Sequence, residues 1–235
     1  MAKELIGKST LERTVINTKF DPELENLLLS RLVKRGNPED KLAVPNAVIN
    51  RVLYQEILEE MPLSLDELPE LDYEVSEEDR IGWGGEAKIY ALGKSCAGKI
   101  LHCPRPNSKD FYSYLLMETV GQELACIRGL TVPKVEGLFK IKRKEDGNTW
   151  PTLVMKKLNG FLTKYNENNE DSDFYVKLGE AEYNKAKSLG IYAEDFADNM
   201  FACPKEKKTY LIDSKFWKFD GVDFSEIKPS EDYIK

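Results

Sequence analysis

The chain has 235 residues, 41% of them hydrophobic, which is enough for one compact catalytic domain with an appendage. A formal net charge of −7 argues against a nucleic acid or an anionic membrane as a partner held by bulk charge. The four cysteines form no C-x-x-C pair and His102 is the sole histidine, so neither a zinc site nor a disulfide framework is indicated. No apolar run approaches the ~20 residues of a membrane span, and residues 1–8 lack a secretory core. We expect a cytoplasmic protein, and the sequence leaves delivery into a host cell open.

Two helices are predicted at the N-terminal end of the chain. The first begins at Asp21-Pro22-Glu23, where aspartate suits the cap and proline the first helical position, and it ends at Gly36-Asn37-Pro38. The second spans residues 46–60. Its apolar face is predicted to contain Val48, Val52, Leu53 and Ile57.

Residues 61–79 contain two prolines and a dense acidic run, which is typical of a linker or of a segment lying over the next domain. We therefore assign residues 1–75 to a helical N-terminal appendage with its linker, and residues 76–235 to the main domain. The appendage is expected either to pack against the main domain or to bind a regulator.

A glycine loop between two predicted strands is the first feature that points to chemistry. The absence of β-carbons lets a backbone approach a phosphate chain and adopt positive φ angles. After the loop, residues 88–92 are strand-like, and in the next strand alternation places one lysine, Lys99, on the same face as Ala97 and Leu101. The loop glycines are Gly82, Gly84 and Gly85.

This hairpin resembles the nucleotide-binding hairpin of protein kinases. The kinase pattern G-x-G-x-x-G-x-V is matched at Gly82, Gly84, Ala87 and Ile89, with alanine in place of the last glycine. Ala97-Gly98-Lys99 stands where the A-x-K strand follows in that family. The variant Gly-Gly-Glu-Ala-x-Ile-Tyr also resembles the loops of small atypical kinases of the Rio type. The resemblance implies that Lys99 holds the α- and β-phosphates of ATP.

A helix predicted over residues 108–129 is, in this resemblance, the one whose glutamate pairs with the lysine. Glu118 and Glu123 are both candidates. We favour Glu123, because in the family the glutamate lies about ten residues before a proline and four before an apolar core residue, as Glu123 does relative to Pro133 and Ile127. The predicted apolar stripe of this helix is Leu115, Leu116, Val120, Leu124 and Ile127.

A strand beginning at residues 131–135 and a basic hairpin at residues 140–148 lead to the apolar run 152–158, which ends in a polar patch and Gly160. This pattern resembles the kinase hinge between two lobes. In the resemblance, Met155 is the gatekeeper, and backbone groups after it bind adenine. A polar surface loop is predicted at residues 166–173, and a helix over residues 173–188 ends before Gly190.

Residues 190–213 resemble the kinase catalytic loop and metal-binding strand, with a carboxylate, an asparagine and a hairpin leading to Leu211-Ile212-Asp213. The family chemistry needs one carboxylate at the acceptor hydroxyl, with an amide oxygen and a second carboxylate on Mg²⁺. Asn199 and Asp213 are the predicted metal ligands. Counting forward from Gly190 selects Asp195 as the catalytic carboxylate, whereas counting back from Asn199 selects Glu194. We favour Asp195.

The resemblance covers residues 78–218 and predicts an α+β, two-lobed kinase-like fold with a truncated C-lobe. Its departures are Ala193 in place of the usual histidine, Asp213-Ser214-Lys215 in place of D-F-G, and few residues after Asp213. The function implied is transfer of phosphate from ATP, with Mg²⁺, to a serine or threonine of a protein substrate, or to a small molecule. The alternatives are a catalytically silent pseudokinase that binds a nucleotide or a partner, and a nucleotidyl transferase that adds AMP.

Overall fold

The computed structural model describes residues 40–84, 86–101, 109–163, 172–193, 195–225 and 227. These residues form a mixed α+β structure with a six-stranded sheet, a three-stranded sheet and three long helices. No helix in these ranges combines the length and the apolar character needed to cross a bilayer. The predicted helix that begins at Asp21 lies outside the described residues.

The first half of the described chain contains α1 (Asp40–Glu60), β1 (Glu70–Val75), β2 (Arg80–Trp83), β3 (Ala87–Leu92), β4 (Cys96–Leu101) and α2 (Lys109–Ile127). The second half contains β5 (Val135–Arg143), β6 (Thr149–Lys156), β7 (Phe161–Leu162), α3 (Ser172–Ser188), β8 (Ile191–Tyr192), β9 (Met200–Cys203), β10 (Lys208–Leu211) and β11 (Lys218–Phe219). The predicted helices 46–60, 108–129 and 173–188 correspond to α1, α2 and α3. Helix α1 begins six residues earlier than predicted.

The large sheet has the strand order β1-β5-β6-β4-β3-β2. Strand β1 runs parallel to β5, and the other neighbours are antiparallel. The linker interpretation of residues 61–79 was wrong for residues 70–75, because they form the edge strand β1. Acidic residues on β1 face water, as they commonly do on edge strands, and Glu74 pairs with Lys142 of β5.

Both faces of the large sheet are covered. On one face, Leu153 packs in a core with α2 and α1. On the other face, Tyr90, Ile141 and Trp150 form a second core against which Leu71 and Tyr73 of β1 pack. Since β4 is buried along its whole length, a charged residue on it must find a partner inside the protein.

Two predicted helix stripes need correction at one position each. Leu115, Leu116, Val120 and Leu124 are buried in the core, but Ile127 is 48% exposed at the end of α2. On α1, Leu53 and Ile57 are buried, whereas Val52 is exposed. Position 127 lies beyond the edge of the α2 face that packs on the sheet, and position 52 lies beyond the edge of the α1 face that packs on α2.

The small sheet has the order β10-β9-β7 and packs against α3. Gly179 of α3 allows this contact, because a Cβ there would lie 2.1 Å from Met200 Sδ. The Thr209 hydroxyl of β10 donates to the Tyr175 carbonyl at 2.7 Å. Residues 157–160 connect β6 of the large sheet directly to β7 of the small one.

Helix α1 is fixed to the end of α3 by two asparagines one turn apart. The Asn46 amide donates to the Ser188 carbonyl at 2.8 Å, and the Asn50 amide donates to the Leu189 carbonyl at 3.1 Å. These are carbonyls that the end of a helix leaves without an intrahelical partner. Gly190, with φ +69°, ends the helix in the left-handed conformation. Helix α1 therefore shares the core and a helix cap with the rest of the fold.

Candidate functional site

Four neighbouring strands align Lys99 with the glycine loop, which we define as residues 82–86. Gly82 lies opposite Ile89, Ile89 opposite Lys99, and Lys99 opposite Leu153. Residues directly opposite each other in antiparallel strands place their side chains on the same face of the sheet. Because Leu153 packs under α2, this register directs Lys99 towards α2 as well.

Lys99 forms a buried ion pair with Glu118 of α2. Its ammonium lies 2.7 Å from each carboxylate oxygen of Glu118 and 3.1 Å from Asp213 Oδ1. The side chains of Lys99 and Glu118 are 9% and 2% exposed. Burial alone would lower the pKa of Lys99, but the attraction of Glu118 and Asp213 outweighs burial and raises that pKa. Lys99 is therefore a fixed positive charge, and we call Lys99, Glu118 and Asp213 the Lys99 cluster.

The prediction that Glu123 pairs with Lys99 was wrong, since the structure gives this role to Glu118. The argument for Glu123 required Ile127 to be a core residue, and Ile127 is exposed. Glu118, by contrast, lies one turn after the fully buried Leu115. Its helical neighbour Gln122 is also buried, and its amide donates to the Pro133 carbonyl.

Asp213 reaches Lys99 from the end of β10 and adopts a strained backbone. Its φ and ψ of 60° and 63° lie in the left-handed region, which aspartate adopts more readily than most residues. The turn that follows is anchored on α2, because the Ser214 hydroxyl donates to the Glu118 carbonyl at 2.9 Å. Gly121 makes room for this turn, since a Cβ there would lie 3.1 Å from the Ser214 carbonyl oxygen. One turn of α2 thus supplies both the carboxylate for Lys99 and the support for Asp213.

Asn199 lies at the same end of the β9–β10 hairpin as Asp213. Leu211 pairs with Met200, and the Ile212 amide donates to the Asn199 carbonyl at 2.9 Å, which extends the ladder by one residue. The register therefore brings the two predicted metal ligands to adjacent positions. Amide and carboxylate oxygens suit Mg²⁺, which commonly binds through one or two carboxylates and the phosphates of a substrate. Within the described ranges, no group of three or more His, Cys, Asp or Glu side chains forms a metal site made of protein ligands alone.

Asp195 is exposed in the turn between β8 and Asn199. This turn is held against α3 by Phe196, whose ring stacks on Tyr183 with centroids 3.7 Å apart. The backbone N–H of Asn199 donates to the Phe196 carbonyl at 3.1 Å, so the same turn also fixes the backbone of Asn199. The alternative carboxylate, Glu194, lies outside the described residues.

The glycine loop is closed by a hydrogen bond from the Gly84 amide to the Ala87 carbonyl at 2.9 Å. A Cβ at Gly84 would have no atom within 4 Å, so the loop backbone is open at this point. Gly85 lies outside the described residues. The last loop residue, Glu86, contacts the buried ammonium of Lys215, two residues after Asp213. Burial lowers the pKa of Lys215 to about 8.

Met155 and Ala97 lie beside the Lys99 cluster. They are opposite each other on β6 and β4, and the Gln122 amide lies 3.9 Å from the Met155 sulfur. The backbone N–H groups of the two residues after Met155 are already hydrogen-bonded. That of Lys156 donates to the Lys134 carbonyl and that of Lys157 to the Ser95 carbonyl, both at 2.8 Å. Any adenine contact in this segment must therefore use other backbone groups.

Sequence reasoning missed three contributors to this site. Ser214 departs from the D-F-G pattern, yet its hydroxyl anchors the turn. No local signal assigns a role to Lys215 or Glu86. Glu118, in contrast, was already a candidate, and it is the one acidic residue among residues 115–120.

No protein-family model matches the chain, and no curated protein is significantly similar to it in sequence.

Proposed function

We propose that the protein is a small kinase-like phosphotransferase that moves phosphate from ATP to a hydroxyl group of a protein. The observation that carries this proposal is the Lys99 cluster: a strand lysine bound to a helix glutamate and in contact with an aspartate that follows a strand. In protein kinases the corresponding lysine–glutamate pair and metal-binding aspartate must both be in place for activity.

In this proposal the Lys99 ammonium holds the α- and β-phosphates, and Glu118 fixes its position. The carboxylate of Asp213 and the side-chain amide of Asn199 would hold Mg²⁺, which neutralises phosphate charge when it is bound. Asp195 would accept the hydrogen bond of the acceptor hydroxyl. The exposed position of Asp195 supports this role, because an incoming protein must reach it from solvent.

The arrangement of the two sheets also supports a kinase-like, two-lobed architecture. The glycine loop and Lys99 belong to the large sheet, whereas Asn199 and Asp213 flank the small sheet. A nucleotide bound at the Lys99 cluster would therefore contact both sheets. The segment 157–160 would act as the hinge, with Met155 two residues before it in β6.

The second candidate function is a nucleotide-binding pseudokinase. It is favoured by Ala193, which is buried at the position where the family has a histidine and which offers no side-chain hydrogen bond near the catalytic turn. Such a protein would keep the Lys99 cluster for a nucleotide and act by binding a partner.

Mass spectrometry separates these functions. The protein is incubated with ATP and Mg²⁺ alone and with a mixture of unstructured acceptor proteins, and all masses are compared with those from the Asp213→Asn variant. If the parent adds phosphate and the Asp213→Asn variant does not, the result supports the kinase proposal. Addition of AMP would replace it with nucleotidyl transfer, and no added mass together with ATP-dependent thermal stabilisation would favour the pseudokinase.

A further inference from the structure

Lys215 places a second ammonium group between the glycine loop and the Asp213 turn, and the proposed function gives it no role. Its side chain is 5% exposed, yet the carboxylate it contacts, that of Glu86, is 58% exposed. This differs from the Lys99–Glu118 pair, in which both partners are buried. Burying the Lys215 ammonium has a desolvation cost, and a solvent-exposed carboxylate offsets that cost only weakly.

The backbone that carries Lys215 is held firmly. Its turn, Ser214–Phe216, is anchored on α2 through the Ser214 hydroxyl, and the Trp217 amide closes it by donating to the Ser214 carbonyl at 3.1 Å. The Phe216 ring lies 4.7 Å from the Lys215 ammonium and contributes a cation–π contact. The cation is therefore preorganised, whereas its anionic partner sits on an exposed loop.

We propose that Lys215 is a second phosphate-binding residue, and that phosphate groups compete with the Glu86 carboxylate for its ammonium. A carboxylate from the glycine loop already occupies an anion position on Lys215. Phosphate carries more negative charge and more acceptor oxygens than a carboxylate, so it competes well for such a cation. Lys99 contacts Asp213 from the large sheet, and Lys215 follows Asp213 by two residues in the chain, so the segment that carries Lys215 begins at the Lys99 cluster.

This inference rests on the proposed function only for the nucleotide part of the ligand. Three probes separate the phosphate site from the proposed nucleotide site: ATP, inorganic tripolyphosphate and adenosine. Each is titrated calorimetrically into the parent and into the variants Lys215→Met, Lys215→Arg and Lys177→Met. Lys177 is an exposed lysine of α3 and serves as the matched control. Loss of one charge-assisted contact is expected to weaken ATP and tripolyphosphate about ten-fold or more. Adenosine binding stays unchanged, and Lys215→Arg retains part of the lost affinity.

Glu86→Gln provides the opposite test. Removing the competing carboxylate is expected to tighten tripolyphosphate binding about two- to five-fold, because an ion pair with an exposed partner is weak. This side chain is exposed, so the variant keeps the inference falsifiable should Lys215→Met lower the melting temperature. Weaker or unchanged tripolyphosphate binding by Glu86→Gln contradicts the proposal.

The remaining outcomes are also decisive. If Lys215→Met loses affinity equally for all three probes, Lys215 has a structural role. If it loses affinity for none of them, Lys215 does not belong to the phosphate site. If the parent binds tripolyphosphate in a Lys215-dependent way but binds neither ATP nor adenosine, the phosphate site stands and the kinase proposal fails. If the parent binds none of the probes, both fail.

Discussion

Lys99–Glu118 and Lys156–Glu206 are lysine–glutamate pairs of the same local geometry in opposite environments. In the first, the ammonium lies 2.7 Å from both carboxylate oxygens and also contacts Asp213. In the second, the distances to both oxygens are 2.8 Å and the ammonium also contacts the Tyr210 hydroxyl. The side chains of the second pair are 37% and 36% exposed, whereas those of the first are 9% and 2% exposed.

This difference decides which pair indicates function. The exposed pair between Lys156 of β6 and the β9–β10 turn has a small desolvation cost, and it contributes at most about 1 kcal/mol to the free energy of unfolding. A buried pair pays a desolvation penalty that apolar residues of the same size would avoid. Retaining charges at Lys99 and Glu118 inside an apolar core is therefore more consistent with a chemical role than with a contribution to stability.

The largest expected effect is on stability. Lys99→Met leaves the Glu118 carboxylate buried without its partner, and is expected to lower the free energy of unfolding by about 3–5 kcal/mol. Lys99→Met combined with Glu118→Leu should recover most of this loss, since apolar residues replace both charges. Urea denaturation measures all three proteins. The matched Lys156→Met should cost less than about 1 kcal/mol, and an equal cost for both lysines would remove the distinction between the pairs.

The next effect concerns the third residue that contacts each lysine, which is Asp213 for Lys99 and Tyr210 for Lys156. Asp213→Asn is expected to reduce phosphate transfer about 10³-fold, because the carboxylate that would hold the metal at the phosphates is lost. Tyr210→Phe removes the hydroxyl beside Lys156 and should leave transfer unchanged. Rates are compared at saturating Mg²⁺. A large loss in Tyr210→Phe with none in Asp213→Asn would assign the chemistry to the exposed pair.

Asp195 belongs to neither pair and tests whether the reaction needs a carboxylate outside the core. Asp195→Ala should lower the transfer rate by at least about 10²-fold without weakening ATP binding, as expected for loss of a positioned base. Glu194→Ala should cost much less. The reverse order, measured by initial rates with a fixed acceptor, would move the catalytic position to Glu194.

The smallest effect is the pH dependence of the exposed pair. The hydrogen bond from Lys156, followed by that from Tyr210, lowers the pKa of Glu206 below its ordinary value of 4.5. A carboxyl whose pKa is lower in the folded state stabilises the fold above pH 4.5, and this contribution is lost as the pH falls through the lowered value. The difference in unfolding free energy between the parent and Glu206→Gln should be at most about 1 kcal/mol at neutral pH and approach zero in acid. A difference that grows in acid would contradict the assignment.

Much of the fold could be predicted from local signals. The glycine cluster, the strand alternation around Lys99 and the helix boundaries near Gly190 depend on neighbouring residues, and the structure confirms those elements. Strand β1 does carry a local signal, since its acidic residues alternate with Leu71, Tyr73 and Val75. The linker interpretation gave more weight to the acidic run and the nearby prolines, and the partner strand β5 lies far along the chain.

The candidate site was harder to predict than the fold. The kinase resemblance singled out Lys99, Asn199 and Asp213, and the structure brings Lys99 and Asp213 into contact. The choice between Glu118 and Glu123 depended on which helix face meets the sheet, and the packing of α2 decides this. Ser214 and Lys215 contact residues that lie 96 positions or more away in the chain, so no local sequence pattern predicts these contacts.

The most direct test of the proposed phosphate site is a calorimetric titration of Mg²⁺-ATP into two folded proteins. One is the parent, and the other is the double variant Lys99→Met with Glu118→Leu, whose buried charges are replaced by apolar groups. The account predicts saturable binding to the parent and at least a hundred-fold weaker binding to the double variant, about 2.7 kcal/mol or more. Equal affinity of the two proteins for Mg²⁺-ATP, or no binding by the parent, would contradict it.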